Sequence, residues 1–133
     1  MATKKALVID DEERTLDICS VLLRKEGFSV VTAKSGMSVL EKFYQQSFDL
    51  VITSLVMKAG TGFTVLGMIR ALSPSTPVIV FTDNGCSIAY HFLPLLGTCT
   101  FISKPCSGEI LAACIKDPLI NGNNVSARTL EAL

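Results

Sequence analysis

Chemistry-bearing side chains recur in this sequence directly after short apolar runs. The runs "KALVI", "DLVIT", "PVIVF" and "TCTFI" are followed in turn by Asp10-Asp11-Glu12, Ser54, Thr82-Asp83 and Ser103-Lys104-Pro105. Adjacent carboxylates suit a hard cation such as Mg²⁺, which favours one or two carboxylates together with water. A hydroxyl and a lysine opposite them could bind the oxygens of a phosphoryl group. These residue types predict a site for a cation, a phosphoryl group or both.

The elements that must position these side chains alternate along the chain. Short runs rich in β-branched and aromatic residues predict strands, at residues 5–9, 28–32, 49–53, 77–82 and 98–102. Helical periodicity predicts helices between them, with apolar faces that include Leu16, Cys19, Leu22 and Leu23, then Val39, Leu40 and Phe43, then Val65, Leu66, Ile69 and Leu72. Gly27, Pro74 and Pro118 are typical of the residues that follow helix ends. Five βα units predict an α/β fold with a doubly wound parallel sheet, whose carboxyl edge carries the site.

Composition limits the functions that this chain can have. It has 133 residues, 49% of them hydrophobic, and its 12 basic and 12 acidic residues balance to a formal net charge of zero. That balance argues against direct binding of nucleic acid or of an anionic membrane. The five cysteines form no CxxC pair and there is one histidine, so a zinc site is not expected. We predict one soluble, cytoplasmic domain over residues 1–117, with a tail or the start of a linker at 118–133.

Four motifs resemble one known family. "VIDDE", "DLVITSLVMKAGTGF", "PVIVFTD" and "FISKP" look like the receiver domain of bacterial response regulators, the CheY-like proteins of two-component phosphorelay signalling. The resemblance runs from about Lys5 to Lys116. It implies a flavodoxin-like (βα)5 sheet with strand order 2-1-3-4-5. It also implies a signalling domain rather than an enzyme, with a histidine kinase or another signalling protein as partner.

The resemblance also implies roles for individual residues. Asp10 and Asp11 match the acid pair that holds Mg²⁺, with the backbone carbonyl of Val56 as a further ligand. Thr82 matches the hydroxyl that responds to the phosphoryl group, and Lys104 matches the lysine that pairs with that group. Phe101 falls at the aromatic rotamer switch, and the bond from Lys104 to Pro105 is often cis in the family.

Ser54 falls on the phosphoaccepting aspartate of the family. A serine hydroxyl is unionised at neutral pH, and it removes one negative charge from the metal site. Three more positions depart from the family. Lys58 stands where proline is usual, Thr61 where aspartate is common, and Asp83 where a small residue usually follows Thr82. These departures predict a degenerate pseudo-receiver that acts by protein–protein interaction without aspartate phosphorylation, and whose Mg²⁺ binding is weakened.

Simpler interpretations and rival functions stay open at this point. Asp10 and Asp11 could cap the first helix, and Thr82 could be an ordinary strand residue. Asp83 could begin a turn or be a relocated phosphoacceptor, and Lys58 could be a solvated lysine or neutralise the acid pair. Ser54 could also be a substitution that silences a working receiver. A phosphatase of the haloacid dehalogenase type is a more remote alternative, because "IDDEERT" lacks its Asp-x-Asp pattern.

The segment from Ser87 to Ile102 predicts an interface. It contains no formally charged residue, whereas a surface helix normally carries a polar face. We expect a homodimer or partner interface on the predicted fourth helix within this segment, the fifth strand at residues 98–102 and the fifth helix from Glu109 to Lys116, the face that receivers commonly use. Its residues would be Ile88, Tyr90, Phe92, Leu95, Cys99 and Phe101, with Cys106 at the border. The alternative is that the tail after Pro118 covers this helix.

Overall fold

The computed structural model describes residues 3–54, 56–57, 60–82 and 99–117. Its strands are β1 (Lys4–Ile9), β2 (Phe28–Ala33), β3 (Leu50–Thr53), β4 (Val56–Met57), β5 (Gly60–Thr61), β6 (Val78–Thr82) and β7 (Cys99–Ser103). Its helices are α1 (Glu13–Lys25), α2 (Gly36–Gln45), α3 (Gly62–Leu72) and α4 (Gly108–Lys116). Helix α4 corresponds to the predicted fifth helix. The predicted strands are therefore present, with bounds that differ by about one residue.

Five strands form one parallel sheet in the order β2-β1-β3-β6-β7. This confirms the predicted flavodoxin-like order 2-1-3-4-5, since β6 and β7 are the fourth and fifth strands of that sheet. Ile9 lies opposite Thr53, and Thr82 lies opposite Ser103. Because parallel strands run the same way, the residues that follow β1, β3, β6 and β7 all lie at one edge.

Within the described residues, each face of the sheet packs against two helices, because side chains alternate along a strand. Leu7 and Ile9 belong to a core cluster that also contains Val39 of α2 and Leu66 of α3. The neighbouring residues of β1 belong to a second cluster with residues of α1 and α4, among them Leu16, Cys19, Leu111 and Cys114. Burial on both faces explains why these strands are almost continuously apolar.

Short local signals set the ends of the helices. Gly27 has a positive φ of 89° and its N–H donates to the carbonyl of Arg24 at 3.0 Å, which stops α1 as predicted. The hydroxyls of Ser35 and Ser107 accept hydrogen bonds from the N–H groups of Ser38 and Ile110 and so cap α2 and α4.

The structure differs from the sequence-based prediction after β3. There, β4 and β5 form a two-stranded antiparallel ladder that the sequence patterns did not predict, which pairs Val56 with Thr61 and Met57 with Gly60. Two-residue strands are too short to show an alternating pattern, so periodicity could not reveal them. The predicted helix before β7 and the tail at 118–133 lie outside the described residues, and the domain boundary at 117 stays a prediction.

Candidate functional site

A buried ion pair lies at the carboxyl edge of the sheet. The Nζ atom of Lys104 is 2.7 Å from Oδ2 of Asp10, and the two side chains are 10% and 2% exposed. Asp10 directly follows β1, and its N–H donates to the carbonyl of Ala33 at 3.1 Å. Lys104 directly follows β7, and its peptide bond to Pro105 is cis. The counter-charge that Lys104 needs at this depth is thus Asp10.

The second oxygen of Asp10 serves the start of α1. The N–H of Glu12, the N-cap residue, donates to Oδ1 of Asp10 at 2.9 Å. Thr15, in the first turn, donates its hydroxyl to Oε1 of Glu12 at 3.1 Å. One oxygen of Asp10 therefore accepts from the N-cap residue of α1, while the other pairs with the ammonium of Lys104.

Burial dominates the electrostatics of Asp10. Removal from water raises the pKa of its carboxyl above the ordinary value. The hydrogen bond from Lys104 and the N–H of Glu12 oppose that change, and the nearby Glu12 carboxylate adds to it. A carboxylate in this position depends strongly on its cation, because little water remains to stabilise the charge.

Ser54 lies beside this ion pair at the end of β3. Its N–H donates to the carbonyl of Ile9 at 3.1 Å, so it neighbours the strand that ends in Asp10. The residue is 2% exposed, and its carbonyl accepts a hydrogen bond from the Thr53 hydroxyl at 3.1 Å. The residue at this position of the edge is thus neutral and buried.

The structure brings together some of the other predicted site residues. Asp11 is partly exposed beside Asp10, and Val56 begins β4 two residues after Ser54. Thr82 ends β6 opposite Ser103, although the structure describes only its backbone. Lys58 and Asp83 lie outside the described residues.

Two carboxylates at this edge have the chemistry of metal ligands. Asp10 and Asp11 supply the oxygen ligands that Mg²⁺ prefers, but both oxygens of Asp10 already accept hydrogen bonds. Within residues 3–54, 56–57, 60–82 and 99–117, no group of three or more His, Cys, Asp or Glu side chains could hold a metal ion. Asp10 and Asp11 are therefore the described carboxylates that could hold a divalent cation at this edge.

Sequence reasoning missed one neighbour of the ion pair. The Nζ atom of Lys104 lies 5.5 Å from the centroid of the Phe81 ring, within the range of a cation–π contact. Phe81 is 7% exposed and belongs to the core cluster between the sheet and α1 and α4. Its position directly before Thr82 was the available signal, but the strand pattern alone marked it only as core.

The predicted interface falls largely on residues whose structure is not described. Ile88, Tyr90, Phe92 and Leu95 lie outside the described ranges, and Cys99 is described by its backbone alone. Phe101 is 2% exposed and belongs to the core cluster on the α2 and α3 side. Cys106 is partly exposed in the loop before α4. The interface stays a prediction.

Comparison with known proteins gives consistent matches. The family model of the response regulator receiver domain matches residues 6–116. The transcriptional regulatory protein ZraR of Escherichia coli (strain K12) is 32% identical over 124 residues, which are 92% of this chain and 28% of that protein. Among the curated relatives it matches, the chain spans between about a quarter and a half of their length.

Solved structures show the same fold. The chemotaxis response regulator CheY4 of Vibrio cholerae superposes with a TM-score of 0.78 at 25% identity, covering 89% of this chain and 100% of that one. The response regulator TrrA of Thermotoga maritima, solved in complex with Mg²⁺ and BeF, has a TM-score of 0.74 at 28% identity and covers 87% and 99%. In the part of the chain that the structure describes, every helix is too short or too polar to span a bilayer.

Proposed function

The chain belongs to the response regulator receiver domain family, and from that premise we propose that it is a degenerate receiver that signals by protein–protein contact without aspartate phosphorylation. Receiver domains are signalling modules of two-component systems, and most of this chain matches the family model. Ser54, at the phosphoacceptor position that the sequence motifs imply, carries the proposal. A hydroxyl there cannot form the labile acyl phosphate on which the family's switching depends.

The position of Ser54 supports this assignment. It follows β3 directly and bonds through its N–H to the strand that ends in Asp10, at the edge where Lys104 also lies. A phosphoserine would be a stable ester and a poor timer, and a side chain that is 2% exposed is poorly placed to meet a phosphodonor. Asp10 and Lys104 of the proposed site lie at the same edge as Ser54, but the Ser54 hydroxyl cannot form an acyl phosphate.

We further propose that Lys104 supplies the positive charge that a metal supplies elsewhere in the family. Receiver domains bind Mg²⁺ at their phosphorylation site, and the related TrrA was solved with it. Here one of three expected carboxylates is a serine, and the ammonium of Lys104 already contacts Asp10 at 2.7 Å. Mg²⁺ binding at Asp10 and Asp11, with or without the Val56 carbonyl, is therefore weak.

A phosphorylation assay tests the central claim. The protein and its Ser54→Asp variant are incubated with acetyl phosphate and Mg²⁺, with Ser54→Asn as an uncharged control of the same size as aspartate. We expect no hydroxylamine-sensitive phosphate on the wild-type chain or on Ser54→Asn, and partial phosphorylation of Ser54→Asp. A stoichiometric acyl phosphate on any wild-type residue, Asp83 included, would refute the proposal and favour a working receiver with another acceptor.

The partner surface is the second part of the proposal. The uncharged sequence from Ser87 to Ile102 favours a homodimer or a signalling partner on the predicted fourth helix, β7 and α4. We expect a variant with Tyr90→Glu and Leu95→Glu to be a folded, more soluble monomer. A wild-type chain that light scattering shows to be monomeric at high concentration would contradict the homodimer, and a kinase pull-down would then test the other partner.

A further inference from the structure

We propose that Phe81 is a positioning residue, whose ring and the Asp10 carboxylate together clamp the ammonium of Lys104. The inference rests on the proposed role of Lys104 as the internal cation of the site and adds what holds it there. The Nζ atom is 2.7 Å from Oδ2 of Asp10, 5.5 Å from the Phe81 ring centroid and 3.9 Å from Oε1 of Glu12.

The three neighbours match the chemistry of an ammonium. A lysine head group has three N–H donors and no acceptor, so it needs electron-rich groups on several sides. Two carboxylates supply negative charge, and the face of an aromatic ring carries a negative quadrupole that attracts a cation within about 6 Å. The Lys104 side chain is 10% exposed, so water contributes little to its solvation.

Both fixed parts of the clamp belong to the sheet, Phe81 to β6 and Asp10 to the end of β1, with β3 between those two strands. Phe81 lies in β6 opposite Ile102 of β7, two residues before Lys104. Asp10 is held by its N–H bond to Ala33 and by the N–H of Glu12 on its Oδ1 atom. The long side chain of Lys104 is flexible by itself, so its direction is set by these two partners.

An aliphatic residue at position 81 would fill the core but would not attract a cation. The proposal therefore separates two roles that one ring could have, which are packing and orientation of Lys104. Phe48 provides a matched control, because it is also 7% exposed and belongs to the core cluster on the other face of the sheet. Phe81→Tyr keeps a ring, whereas Phe81→Leu and Phe81→Met remove it.

The test measures hydrogen exchange of the Lys104 ammonium by ¹⁵N NMR in metal-free protein, with the signal identified by its loss in Lys104→Met. Phe81→Leu and Phe81→Met should speed exchange about two- to fivefold, the effect expected for loss of one cation–π contact. Phe81→Tyr and Phe48→Leu should leave it close to the wild-type rate. Unchanged exchange in both ring-free variants, or equal acceleration in Phe48→Leu, would overturn the proposal. Two ring-free variants are used so that the test still stands if one of them fails to fold.

A Mg²⁺ titration separates this inference from the proposed function. Tight Mg²⁺ binding by the wild-type chain would refute Lys104 as the internal cation, while slow ammonium exchange in metal-free protein would still support the clamp. If the internal-cation role of Lys104 and the clamp by Phe81 are both correct, Phe81→Leu should bind Mg²⁺ about two- to fivefold more tightly than wild type. The reason is that Lys104 then competes less well for Asp10.

Discussion

The ends of β1 and β3 are neighbours, yet one carries a buried charge and the other a buried hydroxyl. Asp10 is 2% exposed and is surrounded by Lys104, the N–H of Glu12 and, through Lys104, the Phe81 ring. Ser54 is equally buried but neutral. A buried hydroxyl needs a hydrogen bond, whereas a buried carboxylate needs an opposite charge as well. The charged end therefore constrains several elements, whereas the neutral end, under the proposed role of Ser54, lacks a phosphoaccepting carboxylate.

The largest expected effect comes from removing the cation. Lys104→Met should lower the free energy of unfolding by about 3 kcal/mol, because it leaves the Asp10 carboxylate buried without an opposite charge. Ser54→Ala should cost no more than about 1 kcal/mol, the usual contribution of one hydrogen bond. Urea denaturation of the two variants and of wild type gives both values.

The double variant Asp10→Asn with Lys104→Met provides the control for that comparison. It removes both charges, and it should recover part of the stability lost in Lys104→Met. If Lys104→Met and Ser54→Ala are equally stable, the contrast between the charged and neutral strand ends is wrong.

The next effect concerns Mg²⁺ affinity. Ser54→Asp should tighten Mg²⁺ binding by an amount on the order of 2 kcal/mol, because it supplies a third carboxylate beside Asp10 and Asp11. Ser54→Asn, which adds bulk and an amide but no charge, should bind Mg²⁺ like wild type. Calorimetry measures all three proteins, and a micromolar affinity in wild type would contradict a weakened site.

The smallest expected effect concerns how readily a thiol reagent reaches Cys19, a neighbour of Asp10 and Lys104. Burial first, and the charge of Asp10 second, raise the pKa of the Cys19 thiol to about 12. At pH 8 almost no Cys19 thiolate forms, so iodoacetamide should label the partly exposed Cys106 well before Cys19.

Peptide mapping by mass spectrometry resolves the individual thiols, and labelling in denaturant shows that all five cysteines can react. Cys114 is also buried and should follow Cys19. Rapid labelling of Cys19 in the native protein would show that α1 does not close this end of the sheet.

Much of the architecture could be predicted because its signals are local. Alternation of β-branched runs with helical periodicity gave the five strands, and Gly27 marked the end of α1 through a conformation that glycine adopts readily. The short β4–β5 ladder was missed, since two residues do not make a pattern. The segment from Ser87 to Ile102 and the tail were assigned from composition, and their roles stay predictions.

The sequence by itself determined which residues reach the carboxyl edge of the sheet, because strand order and direction follow from the βα repeat and the family motifs. Only the tertiary structure decided how those residues pair. Lys104 could have contacted Asp10 or Asp11, and the structure joins it to Asp10 across 94 residues of chain. It also places the Phe81 ring against the same ammonium. Periodicity reports the face on which a side chain lies, whereas the choice of partner depends on distances between segments that only the folded chain brings together.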